Sequence, residues 1–258
     1  MPSDLERAVS FEEALRERCA ERVVPFRFGR AFFNDTFPLV WDLNVLLVEE
    51  PVGASAEELA AEADRLHGEA GQGHRRVAVA DERVGEALAG PFRVLGWRVD
   101  RFLVMGFRGT GERVANPATP VEEVAAAALR PLREAIVRAQ PWAETEEVTR
   151  MVADAVQLVG RVGSARHFAV RVNGGVASAA DLYSDGRTAQ VEDVATLPEH
   201  RGRGHATAVV LRAVEEALAT GHDFVFLVAD AEDWPKELYV RLGFAPLGHT
   251  WTFLKLPG

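Results

Sequence analysis

Arg201-Gly202-Arg203-Gly204-His205-Ala206 is the stretch whose residue types could hold an anion. Two glycines allow a tight turn and let backbone N–H groups approach a ligand, and two arginines add charge and forked donors. A helix opening directly after such a loop adds unpaired N–H groups and a positive dipole end, a combination suited to phosphate. The same residues also read as an ordinary basic turn, or as an Arg-Gly segment of the nucleic-acid-binding kind. The flanks must decide.

Those flanks are a strand and a helix. Upstream, the step from Val191 to Val194 breaks the period of two that Ala189 and Val191 keep, so the strand holds one extra residue, a bulge. Pro198 ends it. Downstream, Ala206, Val209, Val210, Ala213, Val214, Ala217 and Leu218 recur at three- and four-residue spacing, which predicts a helix with one buried face, stopped by Gly221. The apolar run Phe224 to Val228 predicts a central strand, joined to the first by a parallel crossover.

In that setting, Arg201-x-x-Gly204-x-Ala206 resembles the acyl-CoA pyrophosphate motif of the GNAT superfamily of N-acetyltransferases, Q/R-x-x-G-x-G/A. Leu238-Tyr239-Val240-Arg241-Leu242-Gly243-Phe244 resembles the superfamily's second signature, a helical Tyr followed by a Gly-Phe that enters the next strand. The resemblance implies acetyl-CoA as co-substrate and no metal. It implies pyrophosphate contacts from Arg201, Gly202, Arg203, Gly204, His205, Ala206 and Thr207, and pantetheine contacts from Val194, Ala195 and Thr196 where two strands splay. It further implies Tyr239 as general acid toward the CoA sulfur, and a carboxylate, Glu192 or Asp193, as the base that an attacking amine requires. Strand alternation leads us to expect only one of the two in the cleft, with Glu192 preferred. The sequence departs from many relatives at Asp230-Ala231-Glu232-Asp233-Trp234-Pro235, where an Asn is usual before the tyrosine.

The elements around this site predict a second copy. Helices are expected over Leu5 to Arg22, from a Ser55/Glu58 capping box through Leu66, and over Val84 to Leu95. Strands are expected over Phe26 to Phe37, Val40 to Val48, Val77 to Ala80 and Arg101 to Phe107. In the second half, helices are expected over Val121 to Ala139 and Glu144 to Val162, then strands around an Asn173-Gly174 hairpin turn. Gly96 and Gly243 lie 147 residues apart, as do Pro51 and Pro198, and Val77-Ala78-Val79 falls on Phe224-Val225-Phe226 at the same shift. The expected fold is α/β (an α+β mixed sheet): two tandem GNAT-like domains, each a mixed, largely antiparallel sheet with a parallel βαβ crossover. Residues 1–112 would be a degenerate copy, 113–119 a linker, and 120–258 the catalytic domain. In the first copy, Ala54-Ser55-Ala56-Glu57-Glu58-Leu59 replaces the loop, and Phe92 stands where Tyr239 stands.

Composition narrows the classes further. The chain of 258 residues has 48% apolar residues and a net charge of −10, ample for a core and adverse to nucleic-acid binding. No long apolar run or leader-like start occurs, so no membrane partner is expected and a cytoplasmic location is the default. Cys19, the only cysteine, allows no internal disulfide. The expected activity is acetyl transfer to a primary amine of a small molecule, in a monomer or homodimer. A non-catalytic acetyl-CoA-binding regulatory module and a mycothiol-synthase-like acetylation of a small thiol precursor are the alternatives.

Overall fold

Capping and periodicity place most elements where the sequence predicts them. The computed structural model describes residues 2–109 and 119–256. The first half runs α1 (Asp4–Cys19), β1 (Arg22–Phe26), β2 (Gly29–Phe33), β3 (Val45–Val48), α2 (Ala56–Glu69), β4 (Arg75–Val79), α3 (Glu82–Val94) and β5 (Arg98–Phe107). The second runs β6 (Glu122–Val124), α4 (Arg130–Arg138), α5 (Glu146–Val162), β7 (Arg166–Val172), β8 (Gly175–Ser184), β9 (Thr188–Thr196), α6 (His205–Ala219), β10 (Phe224–Asp230), α7 (Pro235–Arg241) and β11 (Phe244–Lys255). Residues 113–118 of the expected linker lie outside the described residues. None of the described helices is long and apolar enough to cross a membrane.

Four expected elements differ. The first helix stops at Cys19, because β-branched Val23 and Val24 favour the strand β1 and Pro25, tolerated on this edge strand, cannot continue a helix. Phe26 to Phe37 is not one strand: Phe26 ends β1, which forms a hairpin with β2 from Arg22 opposite Phe33 to Phe26 opposite Gly29, and the strand stops at Phe33. Before β3, Trp41–Leu43 forms a 3-10 turn. Val121 to Ala139 begins as an edge strand, β6, held to β7 by an ion pair of Glu123 with Arg166 at 2.7 Å, and becomes helical only at α4.

The sheet order is β1-β2-β3-β4-β11-β5-β10-β9-β8-β7-β6, one continuous surface of eleven strands. Each half contributes a parallel crossover, β3-α2-β4 and β9-α6-β10. The final strands change places: β11 lies between β4 and β5, and β5 lies between β11 and β10. The expected two sheets are therefore merged, because each half's crossover strand takes the other half's last strand as its antiparallel neighbour. The core follows this exchange. Trp251 and Phe253 of β11 pack among Leu59, Leu88 and Phe92 of the first half, with Phe92 and Phe253 stacked at 4.1 Å. From the first half, α1 reaches over the second, and Phe11 meets Phe226 edge-on at 5.5 Å. Burying each such aromatic contributes about 1.5–3 kcal/mol.

Candidate active site

The expected bulge is present. Ala179 pairs with Ala195 and Asp181 with Glu192, so β9 holds one residue more than β8 over this interval, and Asp193 takes φ +50°. Val191 and Val194 consequently pack in the same core cluster despite their odd spacing. Along its other edge β9 pairs with β10 only from Thr188 opposite Phe224 to Gln190 opposite Phe226, then the strands part. Val194, Ala195 and Thr196 thus have β8 on one side and an open backbone edge on the other. Ser178 Oγ steadies this edge, donating to Ala195 O at 2.9 Å.

Beyond the strand, a 3-10 turn at Pro198–His200 leads into the basic loop. Gly202 and Gly204 both adopt left-handed φ, +73° and +78°, which is the conformational reason for two glycines here. The N-cap of α6 is Gly204, with no side-chain cap and no acidic residue in the first turn, so the helix's first N–H groups lack a side-chain partner. Arg201 to Gly204 are exposed, and neither arginine makes an ion pair among the described residues. Arg201 Nε donates to Thr196 O at 3.3 Å, linking loop and strand. Thr207, in the first turn of α6, is buried. Burial, with His200 and Arg203 nearby, lowers the His205 pKa. An anion fits this loop.

Glu192 and Asp193 both border a cleft of about 730 Å³ between the halves. The expectation that only one points there fails, because the left-handed Asp193 breaks strand alternation at the bulge. Glu192 accepts from Gln190 Nε2 at 2.7 Å and from the Asp193 N–H at 3.1 Å. Burial raises its pKa well above the carboxylate range, and the charges of Asp193 and Glu12 raise it further. Asp193 Oδ2 accepts from the Tyr183 hydroxyl at 3.0 Å. Asp193 is open to the cleft, yet surrounding protein and nearby Asp181 push its pKa up to about 6 against the pull of Arg133. Tyr239 lies on α7 within the core that adjoins β9, outside the wall of the cleft. Burial, then the charge of Glu192, pushes its phenol up to about 12, so it keeps its proton at neutral pH. In the acidic variant before it, Asp230 borders the cleft and Pro235 opens α7 at its first turn.

Several site residues escape the sequence reading. Gln190 Nε2 also donates to Glu12 Oε1 of α1, at 3.1 Å. Beneath the bulge, Asp181 is fully buried, 2.7 Å from His167 Nδ1 and paired with Arg133, whose Nη1 has no partner. The signal for that group was a lone Asp in the apolar run Ala177 to Leu182, since a buried carboxylate must be paired.

Residues 129–244 match the profile of the family described as "Acetyltransferase (GNAT) family". Over that stretch the chain is similar to the acetyltransferase domains of the GNAT family, whose members transfer acyl groups and generally use acetyl-CoA. Over nearly its whole length it also shares the fold of known structures. A functionally unknown conserved protein from Staphylococcus epidermidis aligns with TM-score 0.73 at 16% identity, covering 92% of this chain and 94% of that one. A GCN5-related N-acetyltransferase from Kribbella flavida aligns at 0.66 and 22% identity, covering 98% and 95%. A tandem GNAT protein from the clavulanic acid biosynthesis pathway aligns at 0.58 and 16% identity, covering 89% and 78%. No curated protein matches the chain.

Proposed function

We propose that this chain transfers the acetyl group of acetyl-CoA to a primary amine of a small acceptor, by direct attack, at one site in the second half. The observation that carries the reading is the bulge at Asp193, which opens the edge of β9 and turns two carboxylates into one cleft. The loop from Arg201 to Ala206 and the uncapped α6 would hold the pyrophosphate, and the backbone of Val194, Ala195 and Thr196 the pantetheine.

The Glu192 and Asp193 pair takes the proton that the ammonium must lose. Two acids this close titrate as a unit, and the pair retains an ionised carboxylate above about pH 6. The amine nitrogen then forms a bond to the acetyl carbon as the C–S bond breaks. Tyr239, still protonated, supplies a proton to the departing sulfur. Calorimetric titration of acetyl-CoA, followed by a thiol-release assay over an amine panel, tests this. We expect one micromolar site, amine-dependent thiol release, and a kcat in Tyr239→Phe lower by roughly 10²-fold. Absence of acetyl-CoA binding overturns the reading, and so does binding without transfer to any amine.

A further inference from the structure

The cleft holds more acidic side chains than proton transfer needs. Three guanidiniums on its wall are already neutralised: Arg76 by Asp42 at 2.6 Å, Arg98 by Asp100 at 2.8 Å, and Arg133 by Asp181. Glu12, Glu13, Glu192, Asp193 and Asp230 border the same space without an ion pair among the described residues, against Arg16 alone. Two of the three acids beyond the reacting pair, Glu12 and Glu13, come from the half without a CoA loop. Its α1 places Glu12 beside the reacting pair, and Gln190 Nε2 donates to Glu12 and Glu192 together, at 3.1 and 2.7 Å.

Carboxylates crowded in a partly desolvated space repel one another, and a bound cation relieves that repulsion. Burial accordingly raises the pKa of Glu12 and of Glu13. Two other features of the wall suit a cationic guest. Thr252, on this wall and only 9% exposed, has a buried Oγ1 with no hydrogen-bond partner, a polar group left unsatisfied beside the cleft. Trp41 and Trp142, one from each half with ring centres 5.4 Å apart, line the cleft, and the Arg98 guanidinium already lies 5.9 Å from the Trp41 ring centre, so the wall holds a cation on an aromatic ring.

We infer that the acceptor carries a second positive charge beside its reacting amine, and that Glu12 and Glu13 of α1 bind it. This rests on the amine-acetylation reading and adds the substrate class. The same field opposes an acceptor whose far end is a carboxylate.

Three probes share a four-carbon chain and differ in the charge of the far end: 1,4-diaminobutane, n-butylamine and 4-aminobutyrate. Each is titrated calorimetrically into the CoA-saturated protein, and each is assayed separately for thiol release from acetyl-CoA. The diamine is expected to bind about tenfold or more tighter than n-butylamine, with 4-aminobutyrate weakest. Glu12→Gln should bring the diamine-to-butylamine ratio toward one, and Glu12→Asp should keep part of it. Glu13→Gln gives an independent reading if Glu12→Gln does not fold, as judged by acetyl-CoA titration. Equal affinities, a preference for 4-aminobutyrate, or no binding of any probe overturns the inference. Diamine-selective binding without acetyl transfer leaves it standing and removes the transfer reading. Indiscriminate acetylation of all three does the reverse.

Discussion

The same feature, the N-terminal end of a crossover helix, occurs twice in opposite chemical states. At α2, Ser55 Oγ accepts from the Glu58 N–H and Glu58 accepts in turn from the Ser55 N–H, both at 3.2 Å, while Arg27 pairs with Glu58 at 2.8 Å. A hollow of about 460 Å³ beside this end is lined by Ser55, Glu57 and Arg83. At α6, Gly204 offers no cap, the first turn is free of acids, and two exposed arginines precede it. The fold thus repeats one strand–helix junction in both halves. A handful of side chains satisfies the donors of one internally and leaves those of the other for an anion.

Removing the carboxylates tests the second half most severely. Glu192→Gln with Asp193→Asn should lower kcat by about 10²–10⁴-fold while acetyl-CoA still binds. Retained activity would place the base elsewhere. Arg201→Ala with Arg203→Ala should weaken acetyl-CoA by about a hundredfold, with wild-type stoichiometry of one. A second site in wild-type calorimetry would erase the contrast between the two helix ends.

The next effect is on stability. Asp193 has a folded-state pKa of about 6, above the usual 3.8, so folding favours its neutral form. That contribution is complete below about pH 4 and is lost as pH rises through about 6. Asp193→Asn should therefore raise Tm at pH 7–8, by on the order of 2–4 °C per kcal/mol recovered, and leave it nearly unchanged at pH 4. A lower Tm at both pH values would contradict the raised pKa. Smallest is Ser55→Ala, expected to cost about 1 kcal/mol in thermal unfolding through the lost cap, with acetyl-CoA affinity unaltered.

Much of this was legible in the chain. The valine spacing gave the bulge, the glycines gave the loop, and the 147-residue shift carries β5 into β11 and the end of α3 onto the end of α7. Local signals failed where tertiary partners decide. Glu122 to Val124 became a strand because β7 was there to pair with it. The second carboxylate entered the cleft because the bulge that periodicity revealed also cancels the alternation used to exclude it. Glu12 was illegible, since nothing in an amphipathic helix near the start announces a contact with Gln190, far along the sequence.

The exchange of β5 and β11 also sets when the protein can be finished. The sheet of the first half closes only with Phe244–Lys255, a strand synthesised more than 130 residues after β5. Until then β4 and β5 have no strand between them, and the first half holds open backbone edges that a neighbouring nascent chain could pair with. The two halves are therefore completed together, and loss of β11 would remove a structural wall of the first half as well as a strand of the second.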